Sequence, residues 1–346
     1  MEGKEILKDL SNFSAVSGSE FQLHEKLENI FKDLVDEIKK GILGDFIAVK
    51  KGEGENRLKV LLTAHADEIG LMVTDIDDRG FVHFTNVGGV DPKTLPAQEV
   101  IIHGKEKVFG VIGAKPPHVL TDKDRKKSIK IDEMVIDCGM TRDELEKLIS
   151  VGDFITVKRH SIGLLGDFIT GKALDNRSGI MVLYECAKEL KNIKHSCDVY
   201  FAATSLEERG LLGIKTTAYE VSPDIGIVVD VTFADKYADS DIQIECGKGV
   251  EITIGPNIHP ELSEKLIKIA DEYAIPYTID VSPASTGTET WNLQICQEGI
   301  PTLLVSIPIR YMHTSTEVVN YKDIIRAARL LVLFISSLKD WGDIYA

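Results

Sequence analysis

Leu58-Lys-Val-Leu-Leu-Thr-Ala-His65-Ala-Asp67-Glu68-Ile-Gly70 is the stretch from which the fold can be read. Residues 58–64 are almost continuously apolar, as in a strand buried on both faces at the centre of a parallel sheet. The run then ends in an imidazole and two carboxylates. Ligand sites in open α/β sheets form outside the carboxyl ends of strands. The same short segment therefore predicts a sheet and the rim of that sheet where chemistry belongs.

Upstream, Ser17 and Glu20 have the spacing of a capping box, with Ser17 as N-cap. Leu23, Leu27, Ile30, Phe31 and Leu34 follow at helical spacing, and Asp45–Lys50 alternates as a strand does. Downstream of Gly70 the texture changes. Short strand-like pieces (71–74, 81–85, 99–103, 107–112, 131–137 and 151–158) are separated by Gly, Pro and Asp turns, which predicts a small β-rich unit. Within it, the charged stretch 121–130 is expected to be an exposed loop, and Thr141 with Glu144 to cap a short helix. From about Gly166 strands alternate with helices again: a helical face at Ile180, Leu183, Tyr184, Ala187 and Leu190; strands 198–204 and 224–229; a helix from Leu262 to Tyr273; strand 301–307; and a long helix 321–338. The expected fold class is α/β, with a mostly parallel central sheet flanked by helices. Both chain ends, 1–70 and 166–346, build the main domain, and 71–165 is an inserted β-rich domain.

Composition narrows the function. The 346 residues carry 55 acids against 40 bases, a formal charge of −15. Such a chain repels phosphates and anionic membrane surfaces, so neither nucleic acid nor membrane is an expected partner. No apolar run approaches the roughly 20 residues of a membrane span. Met1-Glu2-Gly3-Lys4-Glu5 lacks the pattern of a signal peptide. Five widely spaced cysteines without Cys-x-x-Cys read as reduced thiols, and the expected location is the cytoplasm.

Four further segments join His65 in placing acid or imidazole at strand ends or helix starts: Asp175, Glu207-Glu208, Asp230 and His313. Strand 198–204 runs out before Glu207, strand 225–229 is expected to end at Asp230, and 301–307 leads toward His313. Histidine and carboxylate are preferred ligands of Zn²⁺ and Co²⁺. A two-metal hydrolase holds its cations about 3.5–4 Å apart. One bridging carboxylate, plus one His and one carboxylate for each cation, accounts for His65, Asp175, Glu208, Asp230 and His313. Glu207 remains as a base for the attacking water. Asp67 remains as an acceptor for the ring N–H of His65. Taken singly, each residue also has a plain role: Asp175 as a helix N-cap, Glu207-Glu208 as a solvated pair, Asp230 as a strand terminator. A glycosidase using Glu207 and Asp230 without metal is a second reading, and it leaves both histidines without purpose. A non-catalytic assembly or metal-storage protein is a third. The other seven histidines (24, 83, 103, 118, 160, 195, 259) have no assigned metal role.

These motifs resemble the M42 family of metallo-aminopeptidases, the glutamyl/leucyl and tetrahedral aminopeptidases once described as endoglucanases. The resemblance spans the chain. It is carried by His65-Ala-Asp67-Glu68-Ile-Gly-Leu-Met-Val, Gly110-Val-Ile-Gly-Ala-Lys-Pro-Pro-His118, Gly171-Lys-Ala-Leu-Asp175-Asn-Arg-Ser-Gly179, Glu207-Glu208-Arg-Gly210-Leu, Asp230 and Arg310-Tyr-Met-His313. It implies a zinc-peptidase-like body with a PDZ-like insert that mediates dimerisation, and a homododecamer built from dimers. It implies two Zn or Co ions per subunit, one on His65 and Asp230 and the other on Glu208 and His313, bridged by Asp175. It implies Glu207 as general base, Asp67 as support for His65, and peptides with a free N-terminus as substrates. Leu206 and Arg209 flank the Glu pair where relatives often have Gln and Val. Gly287-Thr288-Glu289-Thr290, followed by Trp291, stands where relatives often read Gly-Thr-Asp-Ala, and Thr-Ser-Thr follows His313 in place of Ser-Pro. These departures spare every ligand and bear on substrate preference.

Overall fold

The computed structural model describes residues 2–119, 128–234 and 244–342. The Lys/Arg cluster 123–127, and with it most of the expected loop 121–130, lies outside the described residues.

An eleven-stranded mixed sheet forms the body. Its four central strands are Asp198–Thr204, Lys59–His65, Ile225–Phe233 and Thr302–Arg310, adjacent in that order and mutually parallel. They are the apolar runs of the sequence, and nearly every residue in them is buried. The parallel arrangement expected of the sheet holds at this centre. On both flanks the pairing turns antiparallel, through Phe46–Lys50 and Glu37–Lys40 on one side and Glu317–Asn320, Phe168–Gly171 and Ile162–Gly163 on the other. Val250–Ile254 and Tyr277–Val281 branch from Thr302–Arg310. Three of these pairings join consecutive strands through short connections, as antiparallel neighbours allow, whereas Phe46–Lys50 pairs with Asp198–Thr204 and Phe168–Gly171 with Glu317–Asn320 across long stretches of chain.

The crossover after Asp198–Thr204 passes through helix Gly213–Val221 and returns as Ile225–Phe233 on the far side of Lys59–His65. The central strand is therefore the point where the winding changes direction, and a crevice opens at its carboxyl end. Helix Leu174–Leu190 is buried all round except at Lys188 and Glu189 in its last turn, as a helix enclosed in a core is. It seats directly on the central strand at Gly179. A Cβ there would stand 2.8 Å from Ala64 Cβ and 2.3 Å from Asn176 Oδ1, so only glycine lets the helix come this close.

Six antiparallel strands close a barrel in the order Gly70–Ile76, Phe81–Val87, Met134–Asp137, Lys107–Ala114, Glu99–His103 and Phe154–Val157. Its core, from Leu71 and Val73 to Ile136 and Ile155, is separate from that of the body. Helix Arg142–Leu148 carries the expected Thr141–Glu144 capping box.

Three local expectations need correction. Ser17 and Glu20 do not form a capping box. The segment enters a short 3-10 turn, Glu20–Leu23, before helix His24–Phe31, and both side chains are drawn elsewhere by tertiary partners. Strand Ile225–Phe233 does not stop at Asp230 but runs three residues past it, because the pairing with Thr302–Arg310 continues to Phe233. A helix the sequence reading did not place, Glu2–Asn12, packs Leu7 and Leu10 into the core. None of the five cysteines is in a disulfide, and no helix among the described residues is long and apolar enough to cross a membrane.

Candidate metal centre

The crevice gathers the residues that the sequence reading singled out. His65 is the last residue of the central strand, paired with Thr204 beside it. Asp175 lies in the first turn of helix Leu174–Leu190, but its backbone is non-helical there (φ −78°, ψ 104°), and its side chain does not cap the helix. Instead its two oxygens divide between two imidazoles. Oδ1 is 3.0 Å from His65 Nε2, and Oδ2 is 3.2 Å from His313 Nε2. Glu208 Oε1 is 3.2 Å from the same His313 nitrogen. Asp230 Oδ1 and Glu207 Oε2 lie 3.9 and 4.0 Å from His65 Nε2. Two sets of potential ligand atoms fall within 4.8 Å of one another: His65, Glu207 and Asp230, and His65, Asp175 and Glu208. His313 adjoins the second set. None of the other seven histidines enters either set. Glu207 thus enters a ligand set itself, and the Glu207-Glu208 pair is not a solvated surface pair.

His65 Nδ1 lies 3.1 Å from the main-chain oxygen of Asp67 and 3.5 Å from its carboxylate, so the backbone carbonyl is its nearer acceptor. The Asp67 carboxylate faces the Glu pair. Oδ1 accepts the Glu207 amide and Oδ2 the Glu208 amide, each at 3.1 Å, and Ser17 Oγ donates to Oδ2. Glu317, which the sequence reading missed, does the same across the crevice. Its Oε2 accepts the amides of Leu174 (2.7 Å) and Asp175 (3.2 Å), and its Oε1 the amide of His313 (2.9 Å). Each of these bonds satisfies a main-chain donor at the edge of the sheet, where an unmet buried one costs about 1–3 kcal/mol. Glu68, the third polar residue of the opening motif, is held by Lys172 Nζ at 2.7 Å and accepts the Ala15 amide at 2.9 Å.

The electrostatics follow from the crowding of acids out of water. Burial, with Asp230 and Glu208 nearby, pushes Glu207 up to about 10 despite His65. Burial and Asp175 push Asp230 up to about 8. Hydrogen bonds that its ring donates to the carboxylates of Asp175 and Glu208 raise His313 to about 11. Asp175 is buried too, yet the two imidazoles hold it well below the carboxylate range. Four carboxylates thus surround two imidazoles, and protons are retained where positive charge is short. Nitrogen and oxygen donors in this number suit Zn²⁺ or Co²⁺, whose binding displaces such protons. The donor set fits a pair of divalent cations, with Asp175 as the side chain that reaches both halves.

A cleft leads to Asp175, Glu208, His313 and Glu317 between the body and the barrel, walled by Leu71, Leu95, Ile155 and other apolar groups. Of the departures noted in the sequence, Glu289 is buried beneath the crevice, accepting from Thr63 Oγ1 at 2.8 Å and raised to about 7 by burial. Trp291 is 43% exposed.

A family model for M42 glutamyl aminopeptidase matches residues 44–330. The lysyl aminopeptidase of Pyrococcus furiosus is 34% identical to this chain over 351 residues, with 97% of each covered. Among solved structures, the TET aminopeptidase of a Thaumarchaeota archaeon from marine sediment aligns with a TM-score of 0.93 at 30% identity, over 99% of this chain and 98% of its own. The TET1 peptidase of Pyrococcus horikoshii, which can assemble into a tetrahedron or a large octahedral shell, aligns with a TM-score of 0.85 at 30% identity, over 97% of this chain and all of its own (100%).

Proposed function

The chain belongs to the M42 glutamyl aminopeptidase family, and from that premise we propose a cytoplasmic two-metal aminopeptidase in which Glu207 moves the proton. The observation that carries the reading is the reach of Asp175 to both imidazoles at 3.0 and 3.2 Å. His65 and Asp230 would hold one cation, Glu208 and His313 the other, with Asp175 shared. Two divalent cations held there, Zn or Co, would supply Lewis acidity toward a peptide carbonyl and a water.

The protein groups do the rest. Glu207 takes the proton of the attacking water and returns it to the leaving amine, a role worth about 10²–10⁴ in rate. Its carboxyl oxygen lies 4.0 Å from His65 Nε2, beside the group of side chains that would hold a cation. Asp67 fixes the two amides from which Glu207 and Glu208 project, and its main-chain oxygen orients the His65 ring. Glu317 fixes Asp175 and His313 in the same way. The free α-amine of a peptide would bind at the cations or near them, which confines cleavage to N-termini. We assign 1–70 and 166–346 to the catalytic body and 71–165 to a dimerisation insert. Dimers would assemble into a homododecamer enclosing the sites and admitting only peptides.

A panel of aminoacyl chromogenic substrates, assayed after chelation and again with added Co²⁺ or Zn²⁺, tests the reading. Hydrolysis should vanish with the chelator and return with the metal. Cleavage of N-acetylated peptides as fast as free ones would rule out exopeptidase action.

A further inference from the structure

The turn that carries the Glu pair is held by more than Asp67. Four consecutive main-chain amides, Ser205 to Glu208, each donate to a carboxylate, and the carboxylates come from three separate segments of the chain. Asp45 Oδ1 accepts the Ser205 amide at 2.9 Å, and its other oxygen takes Thr216 Oγ1 at 3.1 Å. Glu20 Oε1 accepts the Leu206 amide at 2.9 Å. Asp67 accepts those of Glu207 and Glu208 at 3.1 Å. Three acids converge on one turn, and all three are buried: Asp45 at 3% exposure, Glu20 and Asp67 at 0%.

Leu206 is the strained member. Its φ is +56°, a left-handed conformation that a side chain bearing Cβ rarely adopts. The bond to Glu20 pins that conformation from a segment 186 residues away. Glu20 is itself fixed by the Gly18 amide, at 3.0 Å to Oε1 and 2.9 Å to Oε2. The wholly buried Arg177 guanidinium lies within electrostatic reach of Glu20, Asp67 and Glu68, and offsets their charge. No element of secondary structure spans 205–208, so these acids do the work that a strand or helix does for His65 and Asp175.

We propose that Glu20 is a positioning residue for proton transfer: by fixing Leu206 in its left-handed conformation it aims the carboxylate of the next residue, Glu207. The proposal rests on the assignment of Glu207 above. A misplacement of about 1 Å at a reacting group costs about 10²-fold in rate. Glu20→Ala should lower kcat by about 10–100-fold, with KM within about threefold and the Co²⁺ bound per chain unchanged, since Asp67 still holds Glu208. Glu20→Gln keeps an oxygen for the Leu206 amide and should stay within about fivefold of the parent kcat. Should Glu20→Ala fail to fold, Glu20→Asp retains the charge but falls short of Leu206, and should lose about tenfold in kcat.

The proposal is overturned if Glu20→Ala or Glu20→Asp turns over at the parent kcat, or if Glu20→Gln falls as far as Glu20→Ala. Glu207→Gln, measured alongside, separates the two readings. If it is inactive while the Glu20 variants are not, only the positioning role is lost. If it keeps its kcat, the base assignment is wrong and the positioning role goes with it.

Discussion

His65 and His313 reach the same carboxylate from opposite kinds of backbone. His65 ends a strand paired on both sides, and 2% of its side chain is exposed. His313 stands in a turn with φ +61°, held by one amide bond to Glu317, and 35% of its side chain is exposed. The cleft from the barrel touches His313 and Glu208 but not His65, Glu207 or Asp230. The difference teaches that a shared centre is built in two grades. In one half, closed to the cleft, His65 and Asp230 are fixed by the sheet, and only Glu207 beside them is hung from side-chain acceptors; the other half hangs from such acceptors and opens on the cleft.

The largest effect should come from the closed half. Glu207→Gln should reduce kcat by about 10³-fold, within the range of general acid–base catalysis, while bound metal per chain stays at the parent value. Retained turnover would leave the closed half without its chemical role. Next in size is the contrast between the histidines themselves. Each imidazole would hold one cation, but only His65 also borders the other ligand set, so His65→Ala should loosen the second cation too and leave fewer than one per chain after dialysis, whereas His313→Ala should leave about one. Elemental analysis of dialysed protein reads this, and equal losses would erase the distinction between the halves.

A smaller effect probes the seat of the closed half. Gly179→Ala forces Asn176 and the central strand apart, and should lower unfolding free energy in urea by about 1–3 kcal/mol. An unchanged midpoint would mean that the helix does not need its close approach. The smallest lies away from both halves. Burial and Asp280 raise Glu251 to about 7, although a bond from Thr232 lowers it. The folded state therefore binds this proton more tightly than the unfolded state does, and stability falls as pH rises from about 4.5 through 7. Glu251→Gln removes that slope, and should gain on the order of 1 kcal/mol over the parent above pH 7 but nothing below pH 4. An equal gain at both pH values would contradict it.

The closed half was the more legible in sequence, and for the same physical reason that it is rigid. Residues 58–64 declare a buried strand, and the ligand follows at its end, so position and chemistry are read together. The same logic located Asp175 and the Glu pair. Asp230 was found although its strand runs on, because its apolar run was clear. Acids that grip main-chain amides at long range were not legible. Ser17 and Glu20 have the spacing of a capping box, and local spacing cannot reveal that their partners are Asp67 and Leu206. Glu317 left no trace for the same reason: its partners are the amides of Leu174, Asp175 and His313, and an amide has no residue type to read. The first helix did carry a signal, with Leu7 and Leu10 at helical spacing. The flanks of the sheet escaped because antiparallel edge strands such as Glu37–Lys40 are short and half-exposed.

Asp175 joins the halves, and titration of metal-free protein with Co²⁺ in a calorimeter, beside Asp175→Asn, addresses that role directly. Two equivalents per chain should bind to the parent protein, and both should weaken together in the variant. A parent that binds one equivalent, or an Asp175→Asn variant that still binds two at parental affinity, would contradict a centre bridged by this side chain.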